Sequence, residues 1–134
     1  MPVARAFIDS NILLYAHLED DQRKMAIARQ LLGDVLPVVS PQIPLEVTNV
    51  LVRSTGIGPV EAARLLRPFI DGEVVPTTEF TVRESWRIAD RYGFHIYDAT
   101  VIASAIGSGC PILYTEDLQH DQRIESLRVV NPFI

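Results

Sequence analysis

Val3-Ala4-Arg5-Ala6-Phe7-Ile8-Asp9-Ser10-Asn11-Ile12-Leu13-Leu14-Tyr15-Ala16-His17 is the stretch whose reading decides the fold. A short apolar run, Val3–Ile8, stops at a polar turn, and a second apolar run follows from Asn11 to His17. The first has the length of a buried strand, and the second suits a short helix that Ser10 or Asn11 can cap. Asp9 is then an acid at the end of a strand with no local task. Three other acids stand in the same relation to an apolar run: Glu46 after Ile43-Pro44-Leu45, Asp98 after Ile96-Tyr97, and Asp117 after Ile112-Leu113-Tyr114-Thr115.

Outward from that stretch, strands and helices alternate. Asp20–Leu32 is amphipathic, with Ile27/Leu31 and Ala28/Leu32 as i,i+4 pairs and Gly33 as a natural stop. Val35–Val39 reads as a second strand and Leu45–Arg53 as a helix with Val47, Val50 and Leu51 on one side. Gly56–Pro59 breaks the chain, and Pro59 opens a further helix to about Ile70. Glu73–Val75 is a third strand. In the helix Thr78–Tyr92, residues Val82, Ser85, Trp86, Ile88, Ala89 and Tyr92 share one arc and Arg83, Arg87 and Arg91 the other, with Gly93 closing it. Asp98–Ile106 is a helix of small residues, Pro111–Thr115 a fourth strand and Val129–Val130 a fifth. Such alternation predicts a three-layer α/β/α sandwich around a central, mainly parallel sheet, formed by residues 1–134 as one domain.

The composition narrows the functional classes. At 134 residues and 48% hydrophobic, the chain can bury a real core. No apolar run approaches the roughly 20 residues of a membrane span, and the first residues lack the pattern of a secretory signal, so a cytoplasmic address is expected. Cys110 is the single cysteine, which excludes an internal disulfide and a cysteine-based zinc site; it reads as a buried filler. Lys24 is the single lysine, and no Gly-rich GK[ST] loop exists, so a P-loop site is excluded. A net charge of −5 argues against nucleic acid at first sight. Removing the four candidate acids from the 17 leaves 13 against 12 Lys and Arg, so the rest of the chain is close to neutral.

In parallel α/β proteins ligands bind beyond the carboxyl ends of the strands, where these four acids would gather. Two carboxylates about 4 Å apart repel by roughly 4 kcal/mol at an effective dielectric of about 20. Protons or metal ions must relieve that repulsion, and an oxygen-only set of donors suits Mg2+ or Mn2+.

Each acid has a plainer reading when taken alone. Glu46 favours the macrodipole of its helix, Asp98 is a possible N-cap and Thr115-Glu116-Asp117 a solvated turn. It is the fourfold repetition at strand-to-helix junctions that favours a site. Glu116 competes with Asp117, since alternation along an extended segment admits only one of two neighbours to a pocket. A phosphate-accepting signalling domain would need a late lysine and a mid-chain aspartate, yet Lys24 is early and no aspartate lies between Asp34 and Asp71. An aspartyl-nucleophile phosphatase would need an acid where Asn11 stands. His17, His95 and His120 show no metal-ligand spacing. Arg83, Arg87 and Arg91 offer a track for an RNA backbone, although a solvated face eased by Glu84 and Asp90 is the plainer account.

Taken together, F-I-D-S-N-I-L-L-Y-A (7–16), the mid-chain Glu46, Y-D-A-T-V-I-A-S-A (97–105) and I-L-Y-T-E-D-L-Q-H (112–120) resemble the PIN-domain endoribonucleases, specifically VapC-type toxins of type II toxin–antitoxin systems. The resemblance implies a metal-dependent ribonuclease in which Asp9, Glu46, Asp98 and Asp117 hold Mg2+ or Mn2+ while Asn11 and Thr115 orient them. It also implies an RNA substrate, an inhibitory antitoxin and a homodimer. The segment I-P-L-E-V around Glu46 departs from the family pattern, and Asp121 follows His120 where a glycine is common. The alternative is a PIN-like module that has lost activity and acts only by binding.

Overall fold

The computed structural model describes residues 3–134; Met1 and Pro2, the first two positions of the expected domain, lie outside the described residues. The elements in order are β1 (Arg5–Ile8), α1 (Ser10–His17), α2 (Gln22–Asp34), β2 (Leu36–Val39), α3 (Gln42–Thr55) and α4 (Pro59–Ile70). There follow β3 (Glu73–Val74), α5 (Glu79–Tyr92), α6 (Ile96–Gly107), β4 (Ile112–Tyr114), β5 (Arg123–Ile124) and β6 (Leu127–Val130). The strands form one six-stranded sheet in the order β3-β2-β1-β4-β6-β5, parallel throughout except for the β5–β6 pair.

Given this order, the handedness of the crossovers decides which face each helix covers. Right-handed connections from β1 to β2 and from β2 to β3 put α1–α4 on one face, and the return from β3 to β4 puts α5 and α6 on the other. Accordingly α1 packs against α2 and α3, and α3 against α4, while α5 and α6 pack on each other. The expected three-layer α/β/α sandwich results. Its core takes Phe7, Ile8 and Leu113 from the sheet, Ile12, Leu13, Ile43 and Leu51 from one helical layer, and Ile88 and Ile102 from the other. Each such side chain contributes about 1.5–3 kcal/mol on burial. Cys110 is buried, as its sequence context predicts.

Several local features differ from the sequence reading, among them the start of α6, which lies at Ile96 with His95 as its cap rather than at Asp98. Asp9 itself caps α1, its Oδ1 accepting from Ser10 N at 2.7 Å, where Ser10 or Asn11 was expected to do so. α3 begins at Gln42 rather than Leu45, because Pro44 falls in the first turn, where an amide N–H has no intrahelical partner to lose. α2 continues through Gly33 to Asp34, and that glycine has no positive φ; by contrast Gly93, at φ 76°, ends α5 as expected. The buried stripe of α5 is Thr81, Ser85 and Ile88, which leaves Val82 and Trp86 of the apolar arc exposed. The antiparallel β5–β6 hairpin is an addition, with Glu125 in the left-handed region at φ 56° inside its turn.

Candidate active site

The sheet grows from β1 towards β2 and β3 on one side and continues from β1 to β4 on the other. The gap between β1 and β4 is therefore the switch point where a parallel sheet opens a crevice at its carboxyl edge. Registers there are Ala6–Ile112, Phe7–Leu113 and Ile8–Tyr114, so the next residues, Asp9 and Thr115, emerge side by side. Asp9 N donates to Tyr114 O at 3.1 Å, and Thr115 N to Val130 O at 3.1 Å, which fixes both backbones.

The side chains continue that order. Thr115, fully buried, donates its hydroxyl to Asp9 Oδ2 at 2.8 Å and accepts from Asp117 N and Asn11 Nδ2, both at 3.1 Å. The same Asn11 amide donates to Asp117 Oδ2 at 3.1 Å. Asn11, in the first turn of α1, thus ties the β1 junction to the β4 junction. Burial pushes the Asp9 carboxyl up to about 6, and the charges of Asp117 and Glu46 push the same way against the hydrogen bonds from Thr115 and Ser10. Asp98, in the first turn of α6, is raised by burial and then by the charge of Asp117, with His95 opposing. These couplings tie Asp9 to Asp117 and Glu46, and Asp98 to Asp117, so Asp117 and Asp9 link acids that come from four separate segments.

Glu46 lies in the second turn of α3, its Oε1 accepting from Gln42 Nε2 at 2.6 Å. Glu116 stands apart from the cluster, paired with Lys24 and Tyr15. Asp121, at φ 64°, pairs with Arg128 rather than with any of the four acids. His95 caps α6 through a contact from Tyr97 N, His17 meets the Leu13 carbonyl and His120 accepts from Asn131 N. The arginine stripe is occupied within the molecule: Arg83 by Glu79, Arg87 by Glu84 and Glu125, and Arg91 over the Tyr92 ring. What sequence reasoning missed is the Lys24–Tyr15–Glu116 cluster, for which the solitary lysine was the available signal.

The donor set is oxygen-only, and its most buried member carries a carboxyl that burial and like charge hold above its ordinary range. That is the condition a hard cation relieves. As placed, no three His, Cys, Asp or Glu side chains among the described residues converge into a ready-made cage. Mg2+ does not require one, since it retains several waters and takes one or two carboxylates directly. The residues present fit such an ion.

A family model described as the PIN domain matches residues 6–124. The chain belongs to the PIN-domain family. Solved structures share the fold. A Mycobacterium tuberculosis VapC toxin that cleaves the sarcin–ricin loop is 20% identical, with 84% of this chain and 91% of that one covered and a TM-score of 0.68. A toxin–antitoxin complex from Klebsiella pneumoniae is 19% identical over 95% and 97% of the two chains, with a TM-score of 0.73. FitAcB from Neisseria gonorrhoeae is 18% identical over 96% and 98%, with a TM-score of 0.67. No curated protein matches in sequence. In this PIN domain no helix among the described residues is long and apolar enough to cross a membrane.

Proposed function

We propose that this PIN domain is a metal-dependent endoribonuclease, the toxin of a toxin–antitoxin pair, with Asp9, Glu46, Asp98 and Asp117 as its acidic centre. The observation that carries the reading is Asp9: a buried carboxylate at the β1/β4 switch point, hydrogen-bonded on both oxygens and feeling the charges of Asp117 and Glu46. Mg2+ or Mn2+ bound there would supply Lewis acidity towards a phosphodiester and an acidified water.

The protein's share is orientation. Ser10 N and Thr115 hold Asp9 rigid, Asn11 aims Asp117, and Gln42 steadies Glu46. Asp98 enters from the opposite helical layer, so an extended single strand of RNA laid across the carboxyl edge would meet acids from both sides. Hydrolysis by water needs no ribose 2′-hydroxyl as nucleophile and leaves a 5′-phosphate and a 3′-hydroxyl. Work on RNA fits a cytoplasmic setting.

The partner part of the proposal rests on another surface. Between α3 and α4 runs an open groove of about 490 Å³ whose lining includes Pro44, Leu45, Val60, Leu66 and Ile70. Leu45 and Val60 are 69% and 68% exposed, an apolar display that marks interaction sites. Several structural neighbours are toxin–antitoxin complexes, and we assign this groove to an apolar segment of a cognate antitoxin. A homodimer is part of the same reading.

The decisive experiment incubates purified protein and a mixed RNA pool with Mg2+ or Mn2+, alongside EDTA and an Asp9→Asn/Asp98→Asn double variant. Cleavage lost in both controls is expected. Equal cleavage by the double variant would displace the site, and an inactive wild type with bound metal would favour the binding-module alternative.

A further inference from the structure

Glu116 is next to Asp117 in the chain but serves a different neighbourhood. Its Oε2 accepts from Lys24 Nζ at 2.8 Å, and its Oε1 accepts from the Tyr15 hydroxyl. Lys24 Nζ also donates to the Tyr15 oxygen at 3.2 Å and lies 4.5 Å and 5.3 Å from the ring centroids of Tyr15 and Phe133. Phe133 closes the outer side, edge-on to Tyr15 at 5.0 Å, with its carbonyl held by Arg23. The side chains of Lys24 and Glu116 are only 26% and 23% exposed, unlike the loose surface pairs elsewhere in the molecule. Four segments therefore meet around the Lys24–Tyr15 pair: α1, α2, the turn after β4 through Glu116, and the end of the chain through Phe133.

The turn Thr115-Glu116-Asp117 is gripped on its other side by Asn11, which binds the Thr115 hydroxyl, the Asp117 carboxylate and, through Oδ1, Glu116 N at 3.4 Å. Glu116 and Asp117 are neighbours in a bend that sends their side chains to different partners, so reorienting that bend would bring Glu116 towards the acidic crevice and carry Asp117 away from it. Lys24 makes that exchange costly. Without it Glu116 would be a half-buried carboxylate with no cation, and its relief would be to leave the tyrosine and pull the turn with it.

We propose that Glu116 is a positioning residue: anchored by Lys24 and Tyr15, it fixes the turn so that Asp117, and not Glu116, joins the acidic centre. This rests on the metal-dependent ribonuclease reading. It goes beyond it by giving a role to the chain's only lysine, which touches none of the four acids.

The test uses the full chain as wild type, Lys24→Met, Lys24→Arg, Glu116→Gln and Tyr15→Phe. Mn2+ affinity is read by calorimetry, kcat and KM on RNA separately, and the thermal midpoint by circular dichroism. Lys24→Met and Glu116→Gln should weaken Mn2+ by about tenfold or more, the usual cost of losing a group that orients a ligand. They should lower kcat with little change in KM, and Lys24→Arg should recover most of the loss. Tyr15→Phe, the mildest change, keeps the test open if Lys24→Met does not fold, and it should shift Mn2+ affinity less and in the same direction. Variants that lower the thermal midpoint yet bind Mn2+ like wild type would overturn the positioning role while leaving the ribonuclease reading intact. A wild type that neither binds Mn2+ nor cleaves RNA would overturn that reading and the positioning role with it.

Discussion

The two halves of the acidic centre are built differently. Asp9 and Asp117 belong to the sheet edge, where Thr115 and Asn11 link them through hydrogen bonds of 2.8–3.1 Å. Glu46 and Asp98 arrive on helices from opposite layers; Glu46 is steadied by a glutamine one turn before it, and Asp98 is governed by burial and by the charge of Asp117. The strand half is a rigid template, since two parallel strands fix its backbone. The helical half can adjust. On the proposed reading, such a centre would set one wall in advance and leave the other to close on an ion or a phosphate, in keeping with the lack of a ready-made cage among the described residues.

The largest effect should come from breaking the rigid half at its base. Asp9→Asn keeps a good helix cap but removes the charge, and RNA cleavage should fall by more than about a hundredfold, beyond what losing an orienting group costs. The same change should flatten the pH dependence of stability, at the cost of one of the two hydrogen bonds that Asp9 accepts, since an amide has a single acceptor oxygen. The Asp9 carboxyl is raised to about 6 from 3.8, so the folded chain binds this proton more tightly than the unfolded one. Stability is then fully present below about pH 4 and is lost as pH rises through about 6, by about 3 kcal/mol at most. Denaturant melts of the two proteins should diverge across that window. Coincident pH profiles would mean that Asp9 is not a strained carboxylate. Mn2+ at neutral pH should raise the thermal midpoint of wild type more than that of Asp9→Asn.

Next in size is the link itself. Thr115→Val keeps the volume but removes the donor to Asp9 and the acceptor for Asn11 and Asp117, so activity should fall about 10- to 100-fold and stability by about 1–3 kcal/mol. In the adjustable half, Glu46→Gln should cost less activity than Asp9→Asn, and single-turnover assays at several Mn2+ concentrations would rank them. If Glu46→Gln proves the more damaging, the rigid–adjustable division is wrong. The smallest effect belongs to Arg83→Ala. Its guanidinium already faces Glu79 one turn away, so the salt dependence of RNA binding should change by well under the roughly one unit expected for a lost phosphate contact.

This division also explains what could be read from the chain without coordinates. Parallel strands buried on both faces leave continuous apolar runs, which is why β1 and β4 and the acids that follow them were legible to within a residue or two. The helix bearing Glu46 was harder to place, because Pro44 reads as a break in sequence while the first turn of α3 tolerates it. The α5 stripe shows a different limit. Periodicity finds an apolar arc, but only neighbouring α6 decides that Thr81, Ser85 and Ile88 are covered while Val82 and Trp86 are not. Strand β5 had no signal at all, since Arg123–Ile124 sits among polar residues with no apolar run like the Val74-Val75 pair that marked β3. The Lys24–Glu116 pair spans 92 positions, and no local pattern announces a contact at that separation.

The sheet's outer strands carry a consequence for assembly. β3 and β5 are each two residues long, and β3 is pinned at its start by the Arg5–Glu73 ion pair. Edges this short and this charged give another chain almost no ladder to extend. A second copy, an inhibitor or a misfolded neighbour must approach through helix surfaces, so recognition in this molecule is written in side chains rather than in backbone. Partner choice can then drift by single substitutions on α3, α4 or α5 while the sheet, and the crevice it holds open, stays as it is.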